Sequence, residues 1–175
     1  MFKRENNGAL TMDWPESLIF ANTTIYQHLA WSLTNFRRED ESSEYDACRF
    51  VLDGKRIVFR ASKITPKKVG QFVTLWQRPE HITSKNKKPL PTALSVHDNF
   101  DLVIVSTLEG KHAGQFIFDK DILGKKGILS DTQRRGKTAF RVYPPWAIPT
   151  AKDAIKTQKW QLDYFFAAKD SSDIS

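Results

Sequence analysis

The sequence predicts an α+β fold: one domain with a mixed central sheet flanked by helices. Three observations lead there. The chain has 175 residues, 40% of them hydrophobic, enough for one sizeable core and too few for two ordinary domains. Alternating apolar runs fill the middle of the chain, and helical periodicity is confined to its two ends. One run, Asp101-Leu-Val-Ile-Val-Ser-Thr107, is apolar almost throughout, the pattern of a strand covered on both faces.

Taken in order, residues 1–12 read as a flexible arm, 13–169 as the folded domain and 170–175 as a disordered tail. A helix is expected from Asp13. Asp13 can cap it, Pro15 suits its first turn, and Glu16 completes a capping box. Leu18, Ile25, Leu29, Leu33 and Phe36 then recur on one helical face. The polar run Arg37–Glu44 ends it. Asp46–Leu52 and Lys55–Ala61 alternate about Asp53-Gly54, a strong hairpin signal. Alternation puts Cys48, Phe50 and Leu52 on one face, and Ile57 and Phe59 on one face of the partner strand. Arg60 then points the other way and must be exposed or paired.

A third strand is expected over Gln71–Trp76, followed by an exposed loop over Gln77–Pro91 that contains three prolines. Asp101–Thr107 and Gly114–Asp119 read as the next two strands, with a short helix or turn over Asp121–Gly127. Ser130–Lys137 lacks periodicity and reads as mobile. Thr138–Tyr143 is a strand that Pro144-Pro145 terminates. A closing helix is expected through Ala168, capped by Thr150 with Asp153 three residues on, its apolar side holding Ile155, Leu162, Phe165 and Phe166.

Function classes narrow quickly. No apolar run exceeds five residues, which excludes a membrane-spanning helix, and the N-terminus lacks the apolar core of a secretory signal. The single cysteine, Cys48, leaves no intrachain disulfide partner and fits a small core residue. A cytoplasmic location is expected. The four histidines stand alone, without zinc-ligand spacing, and no nucleophile elbow, phosphate loop or dinucleotide fingerprint occurs. The reading therefore assigns no metal and no cofactor.

Charge is more informative. The net charge of +7 is unevenly spread: residues 1–50 carry −3 and residues 51–175 carry +10. Concentrated positive charge attracts polyanions, and nucleic acid is the commonest. Two segments interleave basic with aromatic residues, the types that neutralise phosphate and stack on unpaired bases. The first contains Arg60, Lys63, Lys67, Lys68, Trp76 and Arg78. The second contains Arg134, Arg135, Lys137, Arg141 and Tyr143. Asp101 opens a strand and Gln115 opens the next, the positions of the two acidic ligands in a metal-dependent nuclease. Gln115-Phe116-Ile117 replaces the required Glu-x-Lys, so the motif is degenerate, with Lys120 as a displaced candidate for its cation.

Several longer stretches are more specific: Phe59–Trp76, Gly114–Lys120, Phe140-Arg-Val-Tyr-Pro-Pro-Trp146 and Thr157-Gln-Lys-Trp-Gln161. Through them, residues 45–168 closely resemble the MepB family of small bacterial cytosolic proteins. The resemblance implies a restriction-endonuclease-like core, similar to the PD-(D/E)xK fold, and a nucleic-acid partner. The expectation is a nucleic-acid-binding protein, of DNA or RNA, that lacks cleavage activity. One alternative is an active Mg- or Mn-dependent nuclease using Asp101 with Lys120 or Lys63. The other is a basic protein-interaction module.

Overall fold

The computed structural model describes residues 13–79 and 89–169. The expected arm over 1–12, the tail over 170–175 and most of the proline-containing loop lie outside the described residues.

A six-stranded mixed sheet forms the centre. Its strands are β1 (Leu33–Arg38), β2 (Cys48–Leu52), β3 (Lys55–Ala61), β8 (Leu102–Glu109), β9 (His112–Asp119) and β11 (Phe165–Ala167), side by side in that order. The β3–β8 pair is parallel and the other pairs are antiparallel. A second sheet has the order β10-β5-β4, from Ala139–Val142, Gln71–Thr74 and Lys63–Ile64. Two short strands, β6 (Trp76–Gln77) and β7 (Thr92–Ala93), pair apart from both. The helices are α1 (Glu16–Ala21), α2 (Lys120–Lys125) and α3 (Lys152–Gln161).

Both faces of the large sheet are covered, as the apolar run in β8 requires. On one face Leu18, Ala21, Ile25 and Tyr26 pack over Cys48, Phe50, Phe59 and Ile104. On the other, Val58, Val105, Phe116 and Phe118 meet Val73, Leu75, Leu123 and Val142 from the second sheet and α2. The Asp53-Gly54 hairpin forms as expected, both residues having positive φ (50° and 81°). Asp119 caps α2 by accepting from the Ile122 N–H at 2.8 Å.

Two helices are shorter than their periodicity suggests. α1 runs on as a π-helical turn through Asn22–Tyr26 and then stops; Ala30 adopts φ 56°. Leu33–Arg38 is instead the edge strand β1, with a bulge between Thr34 and Arg37. The bulge explains the misleading spacing. It lets Leu33 and Phe36, three residues apart, both turn inward onto the α1-side core, a pattern that reads as helical in sequence. At the other end, α3 finishes at Gln161, and Phe165–Ala167 pairs with the exposed edge of β9. Neither expected capping side chain is used: Pro15 and Ala151 occupy the N-cap positions, without side-chain hydrogen bonds.

Candidate nucleic-acid interface

The degenerate nuclease motif is not assembled in space. β8 and β9 are antiparallel, with Leu102 opposite Asp119 and Ser106 opposite Gln115. Asp101 and Gln115 thus stand five residues apart along the hairpin, about 16 Å at ~3.3 Å per residue. Asp101 is also occupied. Its carboxylate accepts from the Arg56 backbone N–H at 2.8 Å and from Arg56 Nε and Nη2 at 3.1 and 3.0 Å. The Arg56 hydrogen bonds hold its pKa down at about 2. It clamps the start of β8 to the start of β3. Gln115 is fully buried, and its side-chain amide has no hydrogen-bond partner among the described residues. Lys120 shares the Asp101 end, but its ammonium donates to the Asp98 carbonyl and lies 4.6 Å from the centre of the Phe100 ring.

The first basic segment divides. Arg60 is fully buried and is removed from the interface: its Nη1 donates to Glu39 Oε1 at 3.0 Å, and desolvation lowers its pKa. The sequence placed it correctly on the face opposite Phe59, but that face is covered by the second sheet. Lys63 is exposed and sits 4.7 Å over the Tyr45 ring. It pairs with Phe72, which pairs in turn with Arg141, so the three side chains form a row across the outer face of the second sheet. Lys67 and Lys68 lie exposed in the turn after β4. Trp76 and Arg78 stack on one another at 4.8 Å, and Arg78 donates to the Pro89 carbonyl.

The second segment builds a cleft. Its wall is set by two glutamines of α3, one turn apart. Gln161 Oε1 accepts from the Tyr143 N–H at 2.8 Å, and its Nε2 donates to the Arg141 carbonyl at 2.9 Å. Gln158 Nε2 donates to the carbonyls of Pro144 and Ala147, giving that side chain the partner its place near the apolar stripe demands. Helix α3 is thereby docked along the backbone that follows β10. Between them opens a cleft of about 490 Å³, lined by Lys126, Lys137, Arg141, Lys156, Phe140, Tyr143 and Trp160, with Asp153 as an acidic residue. Arg141 belongs both to the cleft and to the Lys63 row. It also donates to Thr65 Oγ1 and to the carbonyls of Val69 and Gly70, which steadies the turn carrying Lys67 and Lys68. Gly70 permits this approach: with φ 79°, a Cβ there would stand 2.7 Å from the Tyr143 ring.

Arg134 is otherwise engaged, donating to the carbonyls of Gly124 and Lys125 at 2.8 and 2.9 Å. With Asp131 accepting from the N–H groups of Gln133 and Arg134, and Ser130 Oγ accepting from Gly136 N–H, the 130–137 stretch is pinned rather than loose. Arg135 is exposed. The exposed part of the two basic segments thus runs from Lys63 through Arg141 into the α3 cleft, with Arg60 and Asp101 outside it.

Sequence reasoning missed Lys126, Lys156 and Trp160. A signal for two of them was present. Asp153, Lys156, Thr157 and Trp160 fall at i, i+3, i+4 and i+7, one stripe of α3, and all four line the cleft. Lys126 had no local signal; α2 and the following turn carry it there.

The protein-family profile described as MepB-like matches residues 39–167, which include β2 to β11 and every cleft residue named above. A solved structure described as the crystal structure of MepB is similar to the chain, at 30% sequence identity and a TM-score of 0.73. The match covers 90% of this chain and 99% of that one. No curated protein matches.

Proposed function

The chain belongs to the MepB-like family, and from that premise we propose that it is a nucleic-acid-binding protein whose endonuclease-like core does not cut. One observation carries the reading: exposed lysines share one surface with half-buried Arg141 and half-buried aromatic rings. That surface runs from Lys63 over Phe72 and Arg141 into the cleft with Lys126, Lys137 and Lys156. Lysines along such a path neutralise successive phosphates and release counterions, while ring faces offer sequence-tolerant stacking. The endonuclease-like description is supported by the mixed sheet with its parallel β3–β8 pair and by the placement of Asp101 at a strand start. Absence of cleavage is supported by the separation of Asp101, at the open end of the β8–β9 hairpin, from Gln115, midway along it, with the Asp101 carboxylate committed to Arg56.

A salt titration of binding tests it. Fluorescence anisotropy with labelled oligonucleotides should give micromolar binding whose logarithm falls linearly with log salt. The slope should become about 2–3 units shallower in the triple variant K126A/K137A/K156A, because each phosphate contact contributes ~0.7–0.9 units. Labelled plasmid incubated with Mg²⁺ or Mn²⁺ should stay intact. Binding that ignores salt, or cleavage abolished by D101N, would overturn the reading.

A further inference from the structure

We infer that a pocket on the β1–β2–β3 part of the large sheet, lined by Arg37, Arg49 and Arg56, binds a dianionic phosphate group. The strand register brings these arginines together. Arg37 pairs with Arg49, and Arg56 with Val51. Alternation along β2 puts residues 49 and 51 on one face, so all three arginines project from the same side of the sheet. Arg37 reaches that side only because β1 is bulged. Thr34 pairs with Val51 and Arg37 with Arg49, which leaves Asn35 and Phe36 together opposite Phe50. Asn35 takes φ 55° there, and a bulge of this kind re-aims the side chains that follow it. Strict alternation from Thr34 would send Arg37 to the opposite face.

The arrangement is unfavourable without an anion. Like charges directly opposite across a strand pair are destabilising, and Arg37 faces Arg49 in that way. Carboxylates do not make up the difference. Asp101 is matched to Arg56 at 3.0 Å, while Glu39 is divided between Arg49 at 3.3 Å and Arg60 at 3.0 Å. Arg37 has no acidic partner among the described residues. Arg37, Arg49, Arg56 and Arg60 against Glu39 and Asp101 leave a charge of +2, which a dianion balances. The pocket measures about 220 Å³ and has no carboxylate in its lining. That is below the range that encloses a whole small-molecule ligand, so it takes one group. Asn99 also lines it; because its Oδ1 accepts from Arg56 Nη1, its amide nitrogen is left as a donor. Guanidinium forks pair bidentately with phosphate oxygens. Three forks from three strands suit the three terminal oxygens and double charge of phosphate better than the single charge of a carboxylate. An internal phosphodiester, with one charge, is matched less well and falls to the Lys63–Arg141 surface.

The test uses the full chain at about pH 8, above the second phosphate pKa of about 6, with sodium chloride holding ionic strength constant. The probes are inorganic phosphate, phenyl phosphate and, as the carboxylate, acetate. Thermal midpoints should rise with either phosphate probe and saturate, unlike the unsaturating rise that phosphate gives proteins in general by exclusion from their surface; acetate should give no saturable rise. The tighter of the two phosphate probes identifies the source as free phosphate or the end of a larger molecule. Arg37→Gln should weaken binding about 10-fold or more, as loss of a charge-assisted hydrogen bond does. Arg38→Gln removes the same charge from the opposite face, where Arg38 pairs with buried Cys48, and should change binding by less than about 2-fold because solvent screens it. Should either variant fold poorly, the Nε–H signals of Arg37 and Arg49 in the parent protein, followed by NMR, should still shift with phosphate and not with acetate. Equal weakening by the two variants, an equal response to acetate, or no saturation would overturn this inference and leave the nucleic-acid reading intact.

Discussion

Arg60 carries its charge into the covered face of the sheet, where Glu39 meets it at 3.0 Å and also pairs with Arg49 at 3.3 Å. Nε and Nη2 of Arg60 have no partner among the described residues. Removing Glu39 would strand a buried cation, a change that costs about 3–5 kcal/mol, whereas replacing both partners by apolar residues is far milder. Glu39→Gln should therefore lower stability in urea denaturation by that amount, with Glu39→Leu/Arg60→Met closer to the parent. A double variant as unstable as Glu39→Gln would show that the loss lies in packing. Asp101 supplies a pH-dependent counterpart. Its pKa in the folded protein, held at about 2 by Arg56, is below the ordinary carboxylate value near 4. Its contribution is then complete above about pH 4 and is lost as pH falls toward 2. Asp101→Asn should lower stability at neutral pH and flatten the acid limb between those values, as followed by denaturation midpoints. An unchanged acid limb would assign that limb to other carboxylates. Cys48, whose thiol pKa burial pushes up, should react with thiol reagents only on unfolding.

At the scale of elements, the edge strands hold the uncertainty that sequence periodicity leaves. β11 reaches β9 where Gly114 leaves room: a Cβ there would come within 2.3 Å of the Phe165 ring and 2.6 Å of the Phe166 carbonyl oxygen. Gly114→Ala should push β11 from the sheet, costing on the order of 1–3 kcal/mol as overpacking does. Hydrogen exchange of the amides in residues 165–167 should quicken selectively; unchanged exchange there would mean that β9 yields instead. The central strands and the Asp53-Gly54 hairpin were legible because alternation, turn chemistry and burial agree on them. The ends were not. A bulge at Asn35 lets Leu33 and Phe36 mimic a helical spacing, and Phe165 continues the apolar stripe of α3 although its partner is a distant strand edge. The candidate site was half legible for the same reason. Lys137, Arg141 and Tyr143 announce themselves as an interleaved run, but burial of Arg60 depends on a second sheet, and Lys126 reaches the cleft only through tertiary folding.

For the molecule as a whole, what matters is how an uneven charge is spent. The acidic first part of the chain meets basic partners internally, through Glu39 with Arg49 and Arg60 and through Glu41 with Arg78 at 3.7 Å. Lysines later in the chain line the α3 cleft and the Lys63 row instead. Two origins of polyanion binding then make different predictions. Diffuse attraction by a net charge of +7 responds to any lost cation, because the far field depends on total charge. A built interface responds to its own cations. Arg37 and Arg38 provide the control. Both are exposed on β1, four strands from β9 in the large sheet and so about 19 Å across it at ~4.8 Å per strand. Arg37→Ala/Arg38→Ala removes two charges yet should leave the salt slope within error. Lys126→Ala/Lys156→Ala removes the same two charges and should flatten the slope by about 1.4–1.8 units. Both variants need only anisotropy at several salt concentrations, with thermal melts to verify folding. Equal flattening by the two would identify diffuse charge as the cause and dissolve the interface, because position on the surface would then have no effect.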